Sequence, residues 1–221
     1  MSLCIPDIRS EKPEVRSGHI CFTFRGNVFI WGGFNDNDDA DEDVGMSNYI
    51  SSESLWIYNI DTCTWKQVLC SGDLPEGLSG ACGSRIGKTL YVFAGHCKEF
   101  GHSYNLYSLD LLKYRWKAHS FNSKLPMARD KFGSWVMDNR VIYFGGYSTE
   151  PYRRRPHHGP FVAHQNHSGW TGQVAVLHTN QENDIVEWKY PTCKGDPPYP
   201  RAAHGMTRIG SKGFLFGGRH S

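Results

Sequence analysis

Four side chains of this sequence combine into a recognisable chemistry: Lys131, Tyr147, Trp170 and Arg219. An ammonium and a guanidinium beside a phenol and an indole donor suit a carboxylate. Aromatic walls exclude water and strengthen each such contact. Gathered in one place, the four would bind an anionic ligand, most simply the C-terminus of a peptide. They lie far apart in the chain, so the elements that bring them together decide whether this chemistry exists.

Those elements repeat. Apolar runs end in a small-residue doublet four times: "FIWGGF" at 29–34, "YVFAGH" at 91–96, "IYFGGY" at 142–147 and "FLFGGR" at 214–219. Upstream of each lies a short motif: "RSGH" at 16–19, "LSGA" at 78–81, "RDKF" at 129–132 and "RAAH" at 201–204. Downstream of the first three come an apolar strand and a Trp, at Trp65, Trp116 and Trp188, and the Gly/Pro turns "SGDLPEG", "NSKLPMA" and "KGDPPYP" separate the units. The fourth copy stops just after its doublet. In the first unit the β-branched and aromatic stretches "ICFTF", "NVFIWG", "SLWIYNI" and "TWKQVLC" predict four short strands. Four strands in a unit of about 50 residues predict propeller blades. The expected fold is all-β: a partial β-propeller of about three and a half four-stranded blades. The blades span about 16–71, 78–121, 129–193 and, in part, 201–221, after an N-terminal extension of 1–15.

A propeller places equivalent positions around one axis. The residues after the doublets, Phe34, His96, Tyr147 and Arg219, should form one ring near a mouth. The third motif positions, Gly18, Gly80, Lys131 and Ala203, should form another. Lys131 projects where the other copies leave room, and Arg219 breaks an aromatic series. The doublet glycines are expected where the inner strand bends and no Cβ fits.

The composition narrows the function. A net charge of +2 argues against a nucleic-acid partner. No apolar stretch approaches a membrane span, and the N-terminus lacks a signal-peptide core. The seven cysteines include no CxxC pair and are read as reduced thiols in the nucleus or cytoplasm. The loop "NDNDDADEDV" at 35–44 lacks the sixth-position Gly of a calcium loop and is expected to be a solvated acidic loop. The insertion at 152–170 carries Arg153, Arg154, Arg155, His157, His158, His164 and His167 without an acid or Cys to complete a metal site. No metal and no cofactor are expected. "GLSGACG" at 77–83 misses the second Gly of a nucleophile elbow, and His96–Cys97 is a faint echo of a copper oxidase, so no catalytic residue is assigned. An alternative function is a scaffold that holds protein partners through its long charged loops.

The ordered set "VRSGHI", "IWGGF", "SLWIYN", "SGDLPEGLSG", "RDKFGSW", "YFGGY", "SGWTGQ", "PRAAHG" and "GFLFGGR" resembles the kelch-repeat family over residues 16–219. Within the family it is similar to substrate receptors of cullin-RING ubiquitin ligases. The resemblance implies a non-catalytic receptor for proteins that end in a C-terminal Gly-Gly degron. The matching pocket positions are Lys131, Tyr147, Trp170 and Arg219. Such receptors have six blades, with a further Arg and a Ser-Trp pair in the pocket, and a helical box that docks on elongin and cullin. Those features have no counterpart in this sequence, so elongin and cullin are implied as partners only of a fuller-length form.

Overall fold

A computed structural model describes residues 11–35, 48–149, 161–163, 168–180 and 185–220. Among them every regular element is a strand. The first sheet runs Ile20–Phe24, Asn27–Trp31, Ser54–Asn59, Thr64–Leu69, each strand antiparallel to the next. These are the four stretches that alternation and turn residues mark in the sequence. Arg25 and Gly26 join the first two strands with φ of 49° and 73°, the left-handed pair that matches strand twist in a two-residue hairpin. The second sheet holds Cys82–Ile86, Thr89–Phe93, Leu106–Asp110 and Arg115–His119, and Ser71–Gly72 adds a short parallel strand at its outer edge. Gly133–Met137, Arg140–Phe144, Val174–Asn180 and Ile185–Lys189 form the third sheet. Gly205–Ile209 and Lys212–Phe216 form a two-stranded fourth. The arrangement is a partial β-propeller.

Successive side chains of a strand point to opposite faces, and this alternation builds the core. In Thr89–Phe93 of the second sheet, Leu90 and Val92 pack with Phe29, Trp31 and Leu55 of the first. Tyr91 and Phe93 pack with Val141, Tyr143 and Trp188 of the third. The repeated Trp closes each interface. Trp116 meets Trp31 at 4.9 Å, and Trp188 meets Phe93 at 4.7 Å. Trp65, the same position of the first sheet, has no preceding sheet to meet among the described residues. It stays half-buried against Tyr58 of its own sheet, at 4.9 Å. At the other end Phe216 is 87% exposed on the two-stranded sheet. Beside it a groove of about 560 Å³ opens between Trp135, Phe144, Val174 and the 190–198 segment.

The doublets join consecutive sheets as well as bending the chain. The amides of Gly33, Gly95 and Gly146 donate to the carbonyls of Leu78, Arg129 and Arg201, each at 2.8 Å. Each acceptor is the first residue of the next upstream motif. Gly146 sits at φ 112°, and a Cβ there would lie 2.9 Å from the Asp130 carbonyl oxygen, so only glycine fits.

The arginine that opens three of the motifs clamps the same doublets. Arg16, Arg129 and Arg201 donate through Nη1 to the carbonyls of Gly32, Gly145 and Gly217, at 3.3, 2.9 and 2.8 Å. Arg129 is fully buried, and its remaining donors reach the Met127 carbonyl at 3.0 Å and the Gln173 side chain. Leu78 replaces the arginine in the second copy and is itself buried.

Residues 1–10, most of the acidic loop, Arg153–Arg155 and the four histidines of the basic insertion lie outside the described residues. Cys63 is disulfide-bonded, unlike the reduced thiols expected throughout, while Cys21, Cys70, Cys82, Cys97 and Cys193 are free. Among the described residues no helix is long and apolar enough to cross a membrane.

Candidate functional site

The site is built on a backbone frame repeated in all four units. The residue after each doublet pairs with the second residue of its own motif: Phe34 with Ser17, His96 with Ser79, Tyr147 with Asp130, Arg219 with Ala202. The third motif residues are hydrogen-bonded from unit to unit. Gly80 donates to Gly18 at 2.8 Å, Lys131 to Gly80 at 2.9 Å and Ala203 to Lys131 at 2.7 Å. All four have left-handed backbone, with φ of 63°, 65°, 53° and 56°. For Lys131 and Ala203 this conformation costs roughly 1 kcal/mol each. Lys131 is the one long side chain among these four equivalent positions.

Tyr147 and Trp170 meet directly, and Lys131 is linked to them through Asp130, the residue that pairs with Tyr147. Tyr147 pairs with Trp170 across Tyr147–Ser148 and Gly169–Thr171, and their rings meet edge to face at 5.6 Å. The Tyr147 hydroxyl shares a hydrogen bond of 2.6 Å with Ser168. The Lys131 ammonium lies 2.9 Å from Asp130, whose other oxygen is 3.3 Å from His102 Nε2. The His102 ring lies 6.1 Å from Tyr147 and 5.0 Å from His96. His96 Nδ1 shares a hydrogen bond of 2.6 Å with the Tyr49 hydroxyl, and Tyr49 meets Phe34 at 5.1 Å. An unbroken band of rings thus runs from Phe34 to Trp170 across three repeat units.

Arg219 joins the site through its backbone position only. Its side chain is exposed, and among the described residues no hydrogen bond, ion pair or ring contact links it to Lys131, Tyr147 or Trp170.

The sequence reading missed Tyr49, His102, Asp130 and Ser168. A regularity in the structure explains two of these positions, Tyr49 and His102. Tyr49, His102 and Trp170 are equivalent: each faces the residue after its own doublet. The amide that follows each one, at Ile50, Ser103 and Thr171, donates to the second doublet glycine at 3.0, 2.8 and 2.9 Å. Loops of different length precede the three, so no fixed spacing exposes them. Ser168 lies two residues before Trp170 and completes the Tyr147 hydroxyl. Asp130 stood in the quoted motif "RDKF", where the neighbouring lysine drew the attention.

Electrostatics ties the group together. Burial alone would raise the Asp130 carboxyl, but its contacts with the His102 ring and the Lys131 ammonium hold it below its ordinary value. The His96 imidazole is pushed down by burial first and by the neighbouring His102 and Lys131, against the pull of Asp130. Lys131 is the exposed head of this network: its side chain is 60% accessible, against 5% for Asp130. The arrangement can present one cation and several donors to an anion beside the half-buried Tyr147 ring, behind which Trp170 is only 4% exposed. Among the described residues no cluster of three or more His, Cys, Asp or Glu is placed to hold a metal ion.

Comparison with known proteins agrees with this architecture. The family model described as the KLHDC2/KLHL20/DRC7 Kelch-repeats domain matches residues 45–221. Kelch domain-containing protein 2 of Bos taurus is 34% identical over 218 residues, which cover 94% of this chain and 52% of that protein. Kelch domain-containing protein 1 of Homo sapiens is 36% identical over 217 residues, covering 93% and 50%. Kelch domain-containing protein 3 of Mus musculus is 25% identical over 219 residues, covering 96% and 50%. The chain spans about half the length of these relatives. Kelch-repeat domains are protein-binding modules and are generally non-catalytic. By its fold, its four-fold repeated frame and these matches, the chain belongs to the kelch-repeat family.

Proposed function

We propose that this kelch module captures the C-terminus of a protein partner ending in Gly-Gly. Lys131 receives the terminal carboxylate, Tyr147 and Trp170 wall the chain that leads to it, and Arg219 adds a second cation from the next unit. One observation carries the reading: Lys131 is the long cationic side chain at a position where equivalent units place glycine or alanine, and the carboxylate it touches belongs to Asp130, which pairs with Tyr147. Glycines suit a narrow, ring-lined approach because they bring no side chain. An internal Gly-Gly or a C-terminal amide would leave the cation without its counter-charge. Delivery of the captured protein to a ubiquitin ligase, through elongin and cullin, belongs in this reading to a fuller-length form.

Fluorescence anisotropy tests the proposal, with one labelled peptide ending in Gly-Gly as the free acid and again as the amide. The acid binds at least roughly tenfold tighter, a difference of about 1.4 kcal/mol. Lys131→Gly abolishes that preference; it relieves the left-handed strain but takes the ammonium away from the nearly buried Asp130 carboxylate, so the two effects oppose each other and the net change in stability stays within about 1 kcal/mol either way. Equal binding of acid and amide to the unsubstituted chain overturns the proposal.

A further inference from the structure

The reading above leaves the Lys131–Asp130–His102 chain without a role. Asp130 stands beside the very cation that should receive a ligand carboxylate, 2.9 Å from its nitrogen. A permanent internal counter-charge there would oppose binding. The carboxylate is nearly buried, as is His102, with side chains 5% and 7% accessible. Their 3.3 Å contact is too poorly aligned to count as a hydrogen bond, and neither His102 Nε2 nor Asp130 Oδ1 has another hydrogen-bond partner. His102 Nδ1 lies 3.0 Å from the Thr149 hydroxyl, which fixes the ring so that Nε2 faces the carboxylate. Two buried polar atoms therefore face each other across a contact that one added proton would convert into an ion pair.

We infer that His102 and Asp130 are positioning residues that set the charge Lys131 offers, so that capture of an anionic C-terminus strengthens as His102 is protonated. This inference rests on the proposed function. With neutral His102, Asp130 draws its compensation from Lys131, and the pair presents little net charge to a ligand. With protonated His102, the carboxylate is neutralised from behind and the ammonium faces the ligand uncompensated. The other groups around His102 do not reproduce this effect. His96, packed edge-on at 5.0 Å, is pushed toward its neutral form by burial and by His102 and Lys131 themselves. Thr149 has no ionisable group, and the Tyr147 hydroxyl is engaged with Ser168 at 2.6 Å. Cys97 and Glu99, on the same hairpin as His102, make no hydrogen bond or ion pair with it among the described residues.

The sign follows from linkage: the state that binds the ligand better holds the extra proton. Affinity therefore rises as pH falls, and the bound complex holds the His102 proton to higher pH than the free protein. The experiment is the anisotropy titration of the Gly-Gly free-acid peptide on the 221-residue chain and on His102→Gln. The unsubstituted chain binds roughly fivefold tighter at about pH 5.5 than at about pH 7.5. His102→Gln cannot be protonated and binds with the same affinity at both pH values. Retention of the full pH response by His102→Gln overturns the inference, as does a flat profile for the unsubstituted chain. If His102→Gln does not fold, NMR titration of the His102 imidazole in the unsubstituted chain decides: its midpoint rises on saturation with peptide, and an unmoved midpoint refutes the assignment. Acid and amide peptides that bind alike at every pH would sink the proposed function itself. Discrimination without a pH response would sink only the role of His102.

Discussion

Trp116→Ala lowers the free energy of unfolding by about 3–5 kcal/mol, whereas Trp65→Ala costs only about 1 kcal/mol. The two residues occupy one position of the repeat, so propensity and local sequence do not separate them. Trp116 is 1% exposed and locked against Trp31 in the cluster that joins the first two sheets. Its removal leaves a cavity on both sides of that interface, which close-packed neighbours cannot refill. Trp65 touches Tyr58 and Trp56 of its own sheet, and no preceding sheet covers it among the described residues. Trp188→Ala should behave like Trp116→Ala, because it fills the next interface against Phe93 and Tyr143. Urea unfolding followed by circular dichroism measures all three. Equal losses for Trp65 and Trp116 would show that the repeated Trp stabilises its own sheet and not the interface.

Arg129→Met costs a further 3–5 kcal/mol, or about that, while Arg201→Met costs under about 1 kcal/mol. Both arginines donate to the first glycine of their own doublet. Arg129, however, is fully buried and also satisfies the Met127 carbonyl and the Gln173 side chain. Methionine matches its volume but strands those acceptors away from water, and a buried acceptor without a partner is costly. The Arg201 clamp is solvent-exposed, so water replaces its hydrogen bonds. Leu78 in the second copy shows that an apolar residue fits where the surroundings are built for it. Arg129→Met should also weaken peptide capture, since Gly145 and Gly146 carry Tyr147 into the site. Thermal unfolding and anisotropy together read both effects; an intact melting temperature would refute the structural part.

The fold was legible because the repeat writes the same hydrogen bonds four times. The doublets, the opening motifs and the closing Trp each mark a backbone event, and such events have fixed residue requirements. The four strands of the first unit follow directly from alternation and turn residues. Trp65 could not be read as different from Trp116, since its burial depends on what lies next to the sheet. Of the candidate site, Lys131 and Arg219 were legible in the sequence as departures from their own repeat positions, Tyr147 as a member of the aromatic series, and Trp170 as a nearby loop residue. Tyr49 and His102 were not, because loops of unequal length hide their equivalence to Trp170. Asp130 was visible as a letter but not as the partner of two cations, which only the turn of the backbone at Lys131 reveals.

The central claim is that a carboxylate-bearing C-terminus seats against Tyr147 and Trp170 under the Lys131 ammonium. Indole NMR measures this most directly, because the seven Trp residues give separate N–H signals that single Trp→Phe substitutions assign. Addition of the Gly-Gly free-acid peptide should move the signal of Trp170, itself only 4% exposed but packed edge to face on Tyr147, and leave Trp116 and Trp188, packed between sheets, in place. The same peptide as an amide should move it little. A free-acid peptide that leaves Trp170 unmoved while shifting Trp135 beside the outer groove would contradict the account.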